Sequence, residues 1–310
     1  MNLDNPFYGL VCPILTPFDE NGQIDPTAAQ KLVDFLVQQE VDGLMPGGTT
    51  GEGMLLTIDE RKRLAEIVVE RAAGRTKVII HTGCISTAET VELSVHARQI
   101  GADAVSVITP YFYALNDEAL FKHYLAVADA VPDTPISLYC YPDNAKQTIS
   151  TELVRRLCRA APNILAIKFS SVDLIQFQEY IAAGGEGFHA LYGVDAIALS
   201  ARAAGASGQV SGNANVFPEP FRKLYEAFSR GDMFEARHQQ AVINHIRAVL
   251  KDDIAYFKAA LVYRGIPVGN PRAPIPSITR SQMEELGPKI QALDMLSDPQ
   301  KGERSSVKGG

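Results

Sequence analysis

Three short stretches carry residue types able to do chemistry at a carbonyl group. The first holds Lys168, inside the apolar run Ile164-Leu165-Ala166-Ile167-Lys168-Phe169 that ends in Ser170-Ser171. Strand alternation puts Ile164, Ala166 and Lys168 on one face and Leu165, Ile167 and Phe169 on the other. With the bulky set turned toward covering helices, the amine points inward, where loss of hydration favours its uncharged, nucleophilic form. Such a lysine is either a nucleophile or half of an interior ion pair. The second stretch is Ile136-Ser137-Leu138-Tyr139-Cys140, whose alternation turns Ser137 and Tyr139 inward. A strand tyrosine alone usually means core packing, but Tyr139 lies one strand–helix–strand unit before Lys168, on a neighbouring strand. A phenol there can move the protons by which a carbinolamine becomes an imine. The third stretch is Gly47-Gly48-Thr49-Thr50-Gly51-Glu52-Gly53. Its glycines let backbone N–H groups approach an anion and its two hydroxyls add donors, so it suits a small carboxylate. Read plainly, it is a glycine-rich turn. No Gly-Lys-Ser/Thr follows, so it is not a Walker phosphate loop.

These residues need a scaffold, and the hydrophobic pattern supplies one. Short apolar runs alternate eight times with longer amphipathic ones, the signature of parallel strands joined by crossover helices. Expected strands are Gly9–Leu15, Gly43–Pro46, Lys77–Thr82, Ala104–Thr109, Ile136–Cys140, Ile164–Phe169, Ala190–Gly193 and Gly208–Ser211. Helices are expected near 27–39, 58–73, 87–100, 117–130, 150–160, 172–182, 195–204 and 218–229. Asp25-Pro26, Thr57-x-x-Glu60, Ser86-x-x-Glu89 and Asn116 mark helix starts. Eight units predict an α/β fold, a (β/α)8 TIM barrel with a C-terminal helical appendage. The catalytic barrel is assigned to residues 1–230 and the appendage to 231–300, with helices over 232–263 and 279–294 joined by the proline-rich segment Pro267–Pro276. Residues 301–310, polar and glycine-ended, are expected to be a disordered tail. A doubly wound open sheet is the rival, but no Gly-x-Gly-x-x-Gly follows the first strand. All three chemical stretches fall at carboxyl ends of expected strands, the face that carries active sites in barrels.

Composition narrows the partners. The 310 residues are 46% hydrophobic and 21% charged, ordinary for a globular chain, and the net charge is −7. That balance, with no basic stripe, speaks against nucleic acid. No stretch is long and apolar enough for a bilayer, and the first residues lack the cationic start and apolar run of a secretory signal, so a cytoplasmic protein without membrane contact is expected. Cys12, Cys84, Cys140 and Cys158 are scattered without a Cys-x-x-Cys pair and read as packing residues in a reducing compartment.

Taken together, Gly48-Thr49-Thr50-Gly51-Glu52, Thr109-Pro110-Tyr111, Leu138-Tyr139, Ile167-Lys168 and Gly193-Val194-Asp195-Ala196 resemble, in order and spacing, the pyruvate-dependent Schiff-base lyases. This family includes dihydrodipicolinate synthase, N-acetylneuraminate lyase and the 2-keto-3-deoxy sugar acid aldolases. The resemblance runs from about Gly9 to Pro276. It implies that Lys168 forms the imine with pyruvate or another 2-oxo acid and that Tyr139 shuttles protons. It further implies that Gly48, Thr49 and Thr50 hold the substrate carboxylate, that Tyr111 or Tyr113 supplies a hydroxyl, and that the enzyme is a homotetramer using no metal and no dissociable cofactor.

Departures from the family patterns point to the substrate. Dihydrodipicolinate synthases usually carry an arginine shortly after the catalytic tyrosine, where this chain has Tyr141-Pro142-Asp143-Asn144, and a relay tyrosine where it has Phe112. Sialate lyases share His81-Thr82-Gly83-Cys84-Ile85-Ser86-Thr87-Ala88-Glu89 but usually show Asp-Glu where this chain has Asp195-Ala196. The expected reaction is cleavage, or condensation, of a 2-keto-3-deoxy sugar acid or similar 2-oxo acid to pyruvate and an aldehyde. Ser170, Asp195, Ser211 and Asn213 are candidate contacts for its hydroxyls. Dihydrodipicolinate synthesis, sialate cleavage and dehydration stand as alternatives, as does a catalytically silent 2-oxo acid sensor. No cluster of His and carboxylate ligands suggests a metal aldolase, and no Gly-x-Ser-x-Gly elbow suggests a hydrolase. His238 and His245 read as one solvated helix face, and His81 as a satisfied core histidine.

Overall fold

The computed structural model describes residues 5–297; the expected tail at 301–310 lies outside them. Eight parallel strands, β1 (Gly9–Cys12), β2 (Gly43–Leu44), β3 (Lys77–His81), β4 (Ala104–Ile108), β5 (Ile136–Cys140), β6 (Ile164–Phe169), β7 (His189–Tyr192) and β8 (Gly208–Val210), pair in chain order, and β8 returns to β1. Around them run α1 (Pro26–Gln38), α2 (Ile58–Ala72), α3 (Thr87–Gln99), α4 (Asp117–Ala130), α5 (Pro142–Ala145), α6 (Thr151–Ala160), α7 (Leu174–Gly184), α8 (Ala198–Ala203) and α9 (Glu219–Ser229). The TIM barrel and its helical appendage are therefore present, the latter as α10 (Met233–Leu250), α11 (Ile254–Tyr263) and α12 (Arg280–Ser297). Among the described residues no helix is long and apolar enough to cross a membrane.

The helices start where the sequence marks them. Asp25 accepts hydrogen bonds from Thr27 N and Ala28 N ahead of Pro26, and Thr57 and Glu60 form a reciprocal capping box. Ser86 differs: its Oγ accepts from Glu89 N but donates to Glu89 Oε2, so only half a box forms. Several expected strands lose one to three residues at the carboxyl end, because the chain there leaves the ladder for the loops that build the site.

Two apolar layers follow from strand alternation. Phe7, Val11, Met45, Ile79, Ala104, Ala166, Leu191 and Val210 fill the lumen, while Leu10, Cys12, Leu138, Ile167, Phe169 and Tyr192 belong to the layer between strands and helices. One expectation needs correction. Ile164 packs in the outer layer and Leu165 is 38% exposed, because β6 shifts register against β5 between Ile136 and Ser137, so that Ile136 faces Ile164 and Ser137 faces Ala166. The additional residue is a bulge that resets the alternation. From Ala166 onward the expected phase holds. The appendage shares the outer core, since Ile243, Ile246, Leu250 and Phe257 pack in the same layer. Ala255, Tyr256, Ala259 and Ala260, read as an apolar helical face, are buried within the chain, whereas Val262 and Tyr263 are exposed.

The seam that closes the barrel has little room. Gly208 pairs with Gly9, and a Cβ at Gly208 would lie 2.6 Å from Gly9 O and 2.7 Å from Leu191 Cδ2. Gly48 has ordinary backbone angles and open space on its Cβ side. Gly208→Ala is thus expected to cost about 1–3 kcal/mol in urea unfolding, and Gly48→Ala about 0.5 kcal/mol or less. Equal midpoints for the two variants would contradict this account of the seam.

Candidate active site

At the carboxyl ends of the strands lies a cavity of about 340 Å³. Its floor is set by the register of β5 on β6, which makes Tyr139 and Lys168 direct neighbours. Lys168 is 5% exposed and lines the cavity, with its Nζ 3.9 Å from the centroid of the Tyr139 ring. It forms no ion pair with any carboxylate among the described residues. An interior salt bridge therefore does not explain why this lysine is buried. The Tyr139 ring also meets His81 edge-on at 5.9 Å and stacks on Tyr141 at 6.2 Å, which fixes its orientation.

The loop after β2 closes one side. Thr49 and Thr50 line the cavity, and neither spends its backbone N–H on another main-chain carbonyl among the described residues. The loop is held from below by bonds from Glu52 N to Thr49 O and from Gly53 N to Gly48 O. Gly51 and Gly53 are required by close approach, since a Cβ would lie 2.7 Å from Ile14 O at the first and 1.8 Å from Gly47 O at the second. Gly48 itself is buried in the turn and does not line the cavity.

On the opposite side stand Ser170, Asp195 and Asn213. Asp195 is buried and accepts from Gln209 Nε2 at 2.7 Å, Ser211 Oγ at 2.6 Å and Asn213 Nδ2 at 2.8 Å. Burial nevertheless pushes its carboxyl up to about 6, against the pull of those three donors. The Asn213 amide also donates to Asp252 at 2.7 Å, and Asp252 is paired with Arg247 at 2.6 Å. Besides Gly48, two expected contacts fall elsewhere. Ser211 holds Asp195 instead of facing the cavity, and Tyr111 lines an adjoining chamber of about 400 Å³ that shares Thr49 and Asn144 with the first. Burial pushes the Tyr111 phenol up.

Several cavity residues were not legible in the sequence. Asn144 arrives on α5, the short helix after Tyr141, and Arg247, Asp252, Ile254 and Phe257 arrive from the appendage. The segment expected as helical over 232–263 breaks at Lys251 and Asp252, both at positive φ, and that break turns Asp252 to the cavity. His81 is only half satisfied. Arg61 Nη2 lies 3.1 Å from its Nδ1 and donates to its carbonyl at 2.8 Å, while its buried Nε2 has no partner in the described structure. Burial, Arg61 and Lys168 together hold the ring well below the usual histidine range, so it is neutral. His238 and His245 are exposed, as expected, and no group of three or more His, Cys, Asp or Glu able to hold a metal occurs among the described residues.

Comparison with known proteins agrees with this geometry. Residues 6–293 match the model of the dihydrodipicolinate synthetase family. The 4-hydroxy-tetrahydrodipicolinate synthase of Citrifermentans bemidjiense is 36% identical over 282 residues, 90% of this chain and 96% of that protein. Among solved structures, the Ruminococcus gnavus sialic acid aldolase superposes with a TM-score of 0.91 at 28% identity, covering 95% of this chain and 99% of the other. A prophage protein of the dihydrodipicolinic acid synthase family from E. coli K12, solved with pyruvate, gives 0.88 at 29%, covering 94% and 99%.

The Asp195 network predicts a pH dependence. The folded chain keeps this proton up to about pH 6, whereas an unfolded aspartate loses it near 3.8. The group therefore stabilises the fold below about pH 4, and the contribution is lost as the pH rises toward 6, amounting to about 3 kcal/mol. Asp195→Asn fits by turning its amide toward Gln209, whose Oε1 has no partner. Relative to the unaltered protein, the variant's unfolding free energy should rise by about 2–3 kcal/mol between pH 4 and 7 in urea titrations. A difference that stays flat across that range would contradict the network.

Proposed function

Because the chain belongs to the dihydrodipicolinate synthetase family, whose members are class I pyruvate-dependent lyases and aldolases, we propose that Lys168 is its Schiff-base lysine and Tyr139 its proton shuttle. The single observation that carries this reading is the Lys168 amine, buried in the cavity without a carboxylate partner among the described residues and stacked on Tyr139. The amine adds to C2 of a 2-oxo acid, the carbinolamine loses water with Tyr139 moving the protons, and an iminium results. The iminium is an electron sink. Removal of the proton from a C4 hydroxyl breaks the C3–C4 bond and releases an aldehyde, leaving the electron pair in an enamine. Protonation at C3 and addition of water then release pyruvate and restore the amine. Thr49 and Thr50 hold the C1 carboxylate through hydroxyls and backbone N–H groups.

For the substrate we favour a 2-keto-3-deoxy sugar acid. The wall beyond Lys168 offers Ser170, Asp195, Asn213 and Asn144, side chains suited to hydroxyls, and its one arginine, Arg247, is already paired with Asp252. The alternative is 4-hydroxy-tetrahydrodipicolinate synthesis, the activity named for the 36%-identical relative. The stretch after Tyr139 carries no arginine for a second carboxylate, which weighs against it. A homotetramer working in the cytoplasm belongs to the same proposal. It is supported by the exposed Phe112 and Tyr113, stacked edge-to-face after β4, and by cysteines that are all free among the described residues. The silent-sensor alternative has less support, since binding a carboxylate requires neither Lys168 nor Tyr139.

A coupled dehydrogenase assay for pyruvate across a panel of 2-keto-3-deoxy sugar acids is expected to find turnover of at least one. Lys168→Ala should lower that rate by about a thousandfold or more and Tyr139→Phe by about a hundredfold. Silence across the panel, with turnover of aspartate semialdehyde plus pyruvate, would select the alternative; full activity of Lys168→Ala would remove the lysine from the mechanism.

A further inference from the structure

A second lysine is more deeply buried than Lys168 and lies outside the barrel. Lys258, on α11 of the appendage, has a side chain 1% exposed, and its Nζ sits 2.6 Å from Oε1 of Glu52, whose side chain is 0% exposed. Glu52 closes the Gly48-Thr49-Thr50-Gly51 turn in a left-handed conformation, at φ 56. Its other oxygen accepts Arg272 N at 2.7 Å, and Lys258 donates to Asn270 O at 3.1 Å. Both cations rest on the Phe18 ring, 4.3 Å from its centroid for Lys258 and 4.5 Å for Arg272.

We propose that Lys258 is a positioning residue: from the appendage, through Glu52, it fixes the loop that seats the substrate carboxylate. The inference rests on the carboxylate role given to Thr49 and Thr50 above. A fully buried ion pair is a poor source of stability, because an apolar pair of similar volume is often as good or better. What the pair does supply is geometry, since it holds a loop whose donors must meet a carboxylate to within about 0.5 Å. The same helix turn forms the cavity wall. Phe257 lines the cavity, and a Cβ at Gly212 would lie 2.9 Å from Phe257 Cε2 and 3.3 Å from Thr50 Oγ1, so α11, Gly212 and Thr50 are in close contact. A shift of α11 therefore reaches Thr50 by two routes.

The test uses pyruvate alone, whose methyl protons exchange with D2O through the enamine and are followed by proton NMR. Removing Lys258 alone leaves a buried carboxylate without its cation, so the informative variant is Glu52→Gln with Lys258→Met. Glu52→Asp, which keeps the charge and shortens the reach, is the second. Both are expected to raise the half-saturating pyruvate concentration about ten- to hundredfold while the saturated exchange rate stays within about threefold. Backbone amides over residues 47–53 should exchange faster in hydrogen-exchange mass spectrometry, with the barrel strands unchanged. Unaltered half-saturation and unaltered amide exchange at 47–53 in either folded variant would overturn the proposal. If the unaltered protein fails to deuterate pyruvate, the lyase reading falls, and the tether is judged on amide exchange alone.

Discussion

A primary amine held out of water with no counter-ion is the constraint on which the site depends. Lys168 is surrounded by lumen wall, an aromatic face and the cavity, and no carboxylate among the described residues reaches it. The ring of Tyr139 packs against it, with Nζ 3.9 Å from the ring centroid. It also orients the amine toward open space. Such an arrangement requires a rigid frame, and a closed parallel barrel provides it: every strand is flanked on both sides, so β5 and β6 cannot slip and separate Tyr139 from Lys168.

The site is not the property of the barrel alone. The appendage brings Arg247, Asp252, Ile254 and Phe257 to the cavity and Lys258 to the underside of the loop after β2. One chain of hydrogen bonds runs from Gln209 and Ser211 on the β8 side through Asp195 and Asn213 to Asp252 and Arg247. A second link joins Glu52 to α11 and the Arg272 segment. Barrel and appendage are thus tied at two places around the cavity. Both ties consist of buried polar groups, which tolerate poor geometry badly and so fix positions better than apolar contact does.

Local signals were legible in the sequence and long-range ones were not. Cap residues such as Asp25, Thr57 and Asn116 act within a single turn, and strand alternation is a period-two property, so the barrel and the inward direction of Tyr139 and Lys168 could be read directly. The β6 bulge could not, because an additional residue at Leu165 changes phase only against the register of β5. Lys258 sits in Ala255-Tyr256-Phe257-Lys258-Ala259-Ala260, an apolar helix whose single charge signals burial with a partner, yet the partner is at position 52. Ser211 and Tyr111 were read as substrate contacts, but their side chains turn to Asp195 and to the second chamber, a choice set by neighbours from other strands.

The central claim is that Lys168, and no other lysine, captures a ketone. It is tested most directly by incubating the protein with pyruvate and borohydride, then measuring intact mass and mapping the modified peptide. The account predicts one reduced pyruvate adduct per chain, on the peptide containing Lys168. An unchanged mass, or an adduct on Lys258 or another lysine with Lys168 unmodified, would contradict it.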